Sequence, residues 1–485
     1  MSDAFDAIVI GAGEAGTMIA SRAVAAGYRV AMIYRSPFGS TCLNTGCVPS
    51  KFIIHRARIA YLARTASRFH VRVNEPSVDL AAIVREKNSD IDHHREESFE
   101  NARAAEGLTV IEGAAKFVSE REVEGAGRRL RSDRIFVATG MRPLIPQIAG
   151  LDSVPFLTNE SLMELTELPR HLIVIGGGYI GCELGQAFSR FGSRVTIIQK
   201  GKHLVAEEDP DVSTILERAF AEEGIEVLVE QDVVAVEKTN GGVRVRMRSE
   251  SGDEVVVAGS HLLLAAGRAP NSDLDLGRAG VETDSKGFIK VDDSLQTNIP
   301  GIWAIGDING QQPFTRICQE ESKIAFVNAF DNSGIKIQRQ YLGHAIFTEP
   351  QVGSVGLTLR QAREQGIDAE GGLVMFDDVA KAKLIGETAG LMKYVFDRNS
   401  HKVLGCHVIG PAGSELIYTA ILVMRHQGTI DEIARAVGIF PTLQEGMEGT
   451  ARALLRKVAP EEVAGPLIVG SVHHEEPCFP AKKAA

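Results

Sequence analysis

Cysteine is scarce in this chain, six in 485 residues, and Cys182, Cys318, Cys406 and Cys478 are scattered far apart. So sparse a set builds no structural disulfide framework, and a reducing cytoplasm fits it best. Long apolar runs are missing too. None approaches the roughly 18 residues a membrane span needs, so the chain reads as soluble. The segment Met1–Ile10 has neither a basic n-region nor a small-residue cleavage site and runs straight into Gly11, which predicts a strand instead of a signal peptide. There is no long basic run: 63 acidic against 52 Lys and Arg residues leave a net charge of −11, which argues against nucleic acid as a partner. What the chain does have is length. At 485 residues and 44% apolar content it exceeds one hydrophobic core, and the length alone suggests about three domains.

Two stretches share one grammar. Ala7–Ile10, the turn Gly11-Ala-Gly13-Glu-Ala-Gly16, an Ala-rich helical stretch and Tyr28–Ile33 read as strand, glycine turn, helix and strand. His171–Ile175, Gly176-Gly-Gly178-Tyr-Ile-Gly181 and Ser193–Ile198 repeat it. In that context a helix N-terminus offers free backbone N–H groups to a pyrophosphate, so two dinucleotides are implied. Arg134–Gly140 and Leu262–Gly267 give the two halves similar strand endings, as in duplicated nucleotide domains. From about Arg339 to Lys457 the pattern is α+β in character. The following tail carries Pro460, Pro466, Pro477 and Pro480 and invites no secondary structure.

The other two cysteines, Cys42 and Cys47, lie five residues apart in Gly39–Lys51. With Gly46 and Pro49 shaping the turn, their Cα atoms can come within the roughly 7 Å a disulfide tolerates, so the pair can cycle between dithiol and disulfide. Cys182, Cys318 and Cys406 read as small packing residues.

The cysteine segment, both glycine turns, Ala138-Thr-Gly140, Ala304-Ile-Gly-Asp307 and the terminal Phe440-Pro-Thr-Leu-Gln-Glu445 together resemble the pyridine nucleotide-disulfide oxidoreductases over about residues 5 to 457. Within that family the chain is most similar to mercuric reductases and dihydrolipoamide dehydrogenases. The resemblance implies an α/β fold with two Rossmann-like nucleotide-binding domains and a C-terminal α+β dimerisation domain. Their expected bounds are 1–147 with 268–337 for a split FAD domain, 148–267 for NAD(P)H, 338–457 for dimerisation and 458–485 for the tail. It also implies a homodimer whose active site is completed across the two copies, and a small-molecule or metal-ion substrate. No resident metal site is expected.

By the same resemblance Cys47 would face the flavin and Cys42 would be the interchange thiol that meets the substrate. Lys51 and Glu183 match an ion pair beside flavin N5. Asp307 would accept hydrogen bonds from the ribityl chain, and Tyr179 would cover the flavin until nicotinamide displaces it. Further cofactor contacts are expected at Gly11, Gly13, Glu14, Ala15, Gly16, Thr41, Ala115, Thr139, Gly140 and Thr315, and at Gly176, Gly178, Ile180, Gly267 and Arg268.

Three departures from the family pattern matter. The strand residue that usually carries a ribose-binding carboxylate is Tyr34, followed by Arg35; a phenol still makes one hydrogen bond. At the matching point of the second unit, Gln199 with Lys200 and Lys202 replaces the carboxylate that marks NAD, so NADPH is preferred, with NADH possible. Third, Phe440 stands where disulfide reductases have a proton-moving His, leaving Glu445 without its imidazole. Loss of a general base typically costs a factor of about 10² to 10⁴. Mercuric reductases also have a Phe-Pro here, and thiolate sulfur is the natural ligand of soft ions. Those enzymes carry Tyr at the Thr442 position and a C-terminal cysteine pair, where this tail has Cys478 with His473 and His474 upstream. The leading expectation is a reductase of a soft metal ion or an unusual disulfide. The alternatives are a dihydrolipoamide dehydrogenase-type enzyme, a ketopropyl-coenzyme M carboxylase-like enzyme in which Phe440 excludes protons, and a non-catalytic redox-sensing flavoprotein.

Overall fold

The computed structural model describes residues 2–458, which fall into two compact units. The first unit takes residues up to 147, then 156–168 and 263–337. Its centre is a parallel five-stranded sheet in the order Ile302–Ala304, Ile135–Val137, Ala7–Ile10, Val30–Tyr34, Leu108–Glu112. The aliphatic strands Ala7–Ile10 and Val30–Tyr34 are buried along their whole length, as strands covered on both faces must be. Ile8 pairs with Ala31 on one side and Ile135 on the other, so the first glycine turn emerges at the C-terminal end of the central strand. That is where open α/β sheets bind ligands.

Helix Glu14–Ala25 follows that turn and packs against helix Thr315–Asp331. The long helix Leu80–Ala104 starts at Asp79, whose carboxylate accepts from the Ala82 N–H at 2.9 Å, a capping bond that satisfies one free donor of the first turn. A second, four-stranded sheet joins Asp3–Ala4, Arg128–Arg131, Glu122–Gly125 and Ala115–Ser119. Phe117, Val123 and Leu130 from it complete the core under the parallel sheet.

The second unit comprises 148–155, 169–262 and the chain from 338 onward. It opens with strands Glu226–Leu228, Arg194–Ile198 and His171–Ile175 in parallel register. An antiparallel sheet of Gln231–Thr239, Gly242–Ser249 and Glu254–Gly259 follows. Its C-terminal part is a five-stranded antiparallel sheet in the order His344–Ile346, Gln351–Gly356, Val403–Gly410, Leu391–Asp397, Ala369–Met375. Helices Gly413–Arg425 and Glu445–Val458 cover it around Phe376, Met392, Tyr394 and Phe396. Within this unit Lys393 binds Asp209 at 3.0 Å and Asp211 at 2.9 Å. Among the described residues no helix is long and apolar enough to cross a membrane.

Candidate active site at the Cys42–Cys47 pair

Two local devices place the thiols. Ser40 caps the four-residue helix Thr41–Asn44 by accepting from the Leu43 N–H at 3.0 Å, which fixes Cys42 inside one helical turn. Gly46 then lets the chain fold back: a Cβ there would sit 2.8 Å from the Thr41 carbonyl oxygen. Cys47 is the first residue of helix Cys47–Thr65, with Lys51 one turn further along. Neither cysteine is in a disulfide. The hydrogen bond between them and burial push the Cys42 thiol well above its ordinary pKa. Cys47 Sγ is 3.5 Å from Thr315 Oγ1, at the N-terminus of helix Thr315–Asp331. Cys42 lines a cavity of about 650 Å³ that runs between helices Glu14–Ala25 and Leu80–Ala104. Thr315 also hydrogen-bonds Cys42, so what sets the two sulfurs apart is the cavity of substrate size that Cys42 lines.

The glycine turn beside them fits a dinucleotide. A Cβ on Gly11, at φ +113°, would lie 2.3 Å from the Ala138 carbonyl oxygen, and one on Gly16 would lie 1.9 Å from that of Gly11. At Gly13 the nearest atom to an added Cβ is Ser40 Cα at 3.9 Å, so the turn is tight below and open above. No side chain caps helix Glu14–Ala25, so its first N–H groups point into that opening. Glu14 and Ala15 begin this helix. Gly140 follows at φ +66°, with Thr139 Oγ1 donating to the Asn271 carbonyl at 2.9 Å. Asp307 is half-buried; burial raises its carboxyl and the nearby Arg268 lowers it. A carboxylate so placed suits a hydroxylated ligand.

The Tyr34 hydroxyl has a partner within the protein. It donates to Glu112 Oε2 at 3.2 Å, and burial, then Glu112, raise the phenol's pKa. Tyr34 and Glu112 are register partners on adjacent strands. Glu112 is thus a carboxylate beside the strand end where the motif lacks one, and sequence reasoning missed it because the motif looks along one strand. Ala115 begins the strand just beyond it. Arg35 is engaged by Asp273 at 2.6 Å.

The family described as pyridine nucleotide-disulphide oxidoreductase matches residues 5–328, and the dimerisation domain of the same family matches residues 343–451. The chain is a pyridine nucleotide-disulphide oxidoreductase. It is 36% identical to a mercuric reductase of Bacillus cereus over 445 residues, covering 92% of this chain and 70% of that protein. It is 30% identical to the mitochondrial dihydrolipoyl dehydrogenase of Pisum sativum, covering 94% and 92%. Among solved structures it superposes on the Cu(II) complex of the HOCl-induced flavoprotein disulfide reductase RclA from Escherichia coli with a TM-score of 0.82 at 27% identity, covering 93% of this chain and 99% of that one. The family uses FAD and NAD(P)H, and its dimerisation domain supports a homodimer.

The second glycine turn of this oxidoreductase lies in the second unit. Gly176 takes φ +113°, and a Cβ on Gly181 would lie 2.0 Å from the Gly176 carbonyl oxygen, while nothing stands within 4 Å of one on Gly178. Helix Tyr179–Phe191 carries Tyr179, Ile180 and, one turn on, Glu183. Glu183 is buried and its Oε1 accepts from the Phe347 N–H at 2.8 Å. Gln199 is more committed than its sequence position suggests: its Oε1 accepts from the Gly177 N–H at 3.1 Å and its Nε2 donates to the His203 carbonyl at 3.2 Å. Lys200 pairs with Asp232 at 3.0 Å on an exposed surface, and Lys202 is exposed nearby.

Gly267, at φ +125°, and Arg268 belong to the first unit, where Arg268 donates to the Met141 carbonyl at 2.8 Å. The Phe440 ring is 68% exposed in the protomer. Glu445 opens the last helix, and its Oε1 accepts from the Thr442 N–H at 2.7 Å. Cys182, Cys318 and Cys406 are buried, and burial raises all three thiols. His473, His474 and Cys478 lie outside the described residues.

Proposed function

We propose that this oxidoreductase is an NADPH-preferring reductase that passes electrons through Cys42 and Cys47 to a soft metal ion or an unusual disulfide. The observation that carries the reading lies at the thiols: both approach Thr315, and of the two it is Cys42 that lines the cavity. FAD, when bound, supplies a two-electron relay between the nicotinamide nucleotide and the Cys42–Cys47 disulfide. The open turn at Gly13 and the uncapped helix behind it hold the diphosphate. Asp307 accepts from hydroxyls of the chain that follows, and Lys51 and Glu183 supply fixed charges.

At the acceptor end the chain offers two sulfurs and no imidazole from the Phe440 position. A thiol reductase of the usual kind needs that proton carrier; a metal ion needs thiolate ligands and electrons. The mercuric reductases among the relatives, and the Cu(II) complex of RclA, support a soft or borderline metal ion as acceptor. One NADPH supplies the two electrons that reduce one Hg(II), or one electron to each of two Cu(II) ions. The absence of a carboxylate at Gln199, with Lys200 and Lys202 beside it, supports NADPH over NADH.

The test is steady-state and stopped-flow oxidation of NADPH and NADH by the purified holoprotein, with Hg(II) in excess thiol, Cu(II), lipoamide and glutathione disulfide in parallel. Hg(II)- or Cu(II)-dependent NADPH oxidation that is lost in Cys42→Ser is the expected result. Faster turnover of lipoamide with NADH than of either metal with NADPH would refute the reading.

A further inference from the structure

The residues between the two cysteines are held from outside their own turn. Asn44 Nδ2 donates to the Phe38 carbonyl at 3.0 Å, and Arg95 Nη1, from the long helix Leu80–Ala104, donates to Asn44 Oδ1 at 3.4 Å. Thr45 follows the short helix that carries Cys42. Four residues on stands Pro49, which has no N–H to give the Thr45 carbonyl, and Asn159 Nδ2 donates to it instead at 2.8 Å. Asn159 is buried and opens the one-turn helix Asn159–Leu162. That helix lies in the stretch 156–168, which belongs to the first unit although the chain on either side of it belongs to the second. Glu164 ties the stretch down. Its Oε2 accepts from Asn88 Nδ2 at 2.7 Å, and its Oε1 accepts from the ammonium of Lys87, which is buried in the long helix. A buried ammonium is costly to leave unpaired, so this tie is firm.

We propose that Asn159 is a positioning residue that sets the reduction potential of the Cys42–Cys47 pair, by holding the turn between them in the shape from which the disulfide closes. This rests on the reading of the two cysteines as the redox pair. Asn159 acts through the Thr45 carbonyl, three residues after Cys42 and two before Cys47.

Closure joins Cys42 Sγ to Cys47 Sγ and takes two electrons and two protons from the dithiol; with oxidised dithiothreitol as the oxidant, both pass to it and it becomes its own dithiol. The disulfide restrains the turn covalently whether or not Asn159 is there. In the dithiol only weaker bonds do so: the thiols hydrogen-bond one another, the Thr45 N–H donates to the Thr41 carbonyl at 2.9 Å, and Asn159 adds the outside anchor. Removing that anchor therefore frees the dithiol more than the disulfide and makes closure less favourable. One neutral hydrogen bond is worth about a fivefold change in such an equilibrium.

A redox titration tests this without turnover. The holoprotein is equilibrated anaerobically with graded ratios of reduced to oxidised dithiothreitol, quenched in acid and alkylated, and the Cys42–Cys47 disulfide is quantified by peptide mass. Asn159→Ala is expected to move the midpoint about fivefold toward more oxidising ratios, a rise in potential of about 20 mV at about 30 mV per tenfold. Asn159→Asp, close in shape but with no N–H to donate, moves it the same way and decides the matter if the alanine variant folds poorly. Asn88→Ala, on the long helix, releases one of the two bonds on Glu164 and moves the midpoint in the same sense by a smaller factor. A midpoint unchanged in both Asn159 variants while Tm falls, or one that moves toward more reducing ratios, overturns the positioning role. If wild type forms no Cys42–Cys47 disulfide at any ratio, the reading of the pair itself is overturned, and the proposal with it.

Discussion

Arg190→Met should be among the more damaging single changes in the second unit. Arg190 Nε and Nη2 donate to the two Glu223 oxygens at 2.8 and 2.6 Å, and Nη1 donates to Glu349. The three side chains are 5, 10 and 20% exposed. Methionine fills much of the volume but leaves two half-buried carboxylates without this cation, Glu223 keeping the Gln186 amide at 3.0 Å, a loss of about 3 kcal/mol, the lower end of the range for buried pairs. For domains of 150–250 residues each kcal/mol shifts Tm by about 2–4 °C, so a fall of roughly 6 °C or more is expected. The assay is calorimetric unfolding of wild type, Arg190→Met and Arg190→Lys near neutral pH and again toward about pH 5.

The sign of the pH effect follows from the charges. Removing the guanidinium leaves two negative charges without their cation, a penalty that is greatest when both carboxylates are ionised and fades as acid neutralises them. The deficit of the Met variant should therefore narrow on acidification, with Lys intermediate because an ammonium cannot fork. A Tm loss under about 1 °C, or a deficit indifferent to pH, would refute the argument. The same lesion reaches Glu183, because Arg190 and Glu183 share one helix and Glu183 binds Phe347, two residues before Glu349.

Glu112→Gln should weaken FAD retention about tenfold, the scale of one charge-assisted hydrogen bond, as read by flavin release on dilution; unchanged release would remove Glu112 from the cofactor site. Glu208 is buried, but hydrogen bonds from His344 and Ser354 hold its carboxyl below the ordinary range. Its contribution is thus present at neutral pH and lost as pH falls through that depressed value. The Tm gap between wild type and Glu208→Gln should close in acid, and a gap that widens there would contradict the assignment.

Much of the site is legible in the chain because its grammar is local. A Gly turn between a buried strand and a helix, and two thiols flanking Gly46, are set by residues within a few positions of one another. Both glycine turns accordingly form with the close approaches at Gly16 and Gly181 that forbid a side chain. Phe440 is likewise a departure that sequence alone exposes, since a benzene ring carries no proton in any fold.

What the tertiary structure decided are partnerships across distance. Parallel register brings Glu112 beside Tyr34, 78 residues earlier. Packing sets Glu183 against the Phe347 N–H, 164 residues on, and draws Gln199 back onto the turn at Gly177. The cleft at Cys42 exists only because a helix ending at Ala104 lies alongside one beginning at Glu14. Local spacing fixes which groups a turn presents, but charge and hydrogen bonding depend on which neighbours the folded chain brings within a few ångströms.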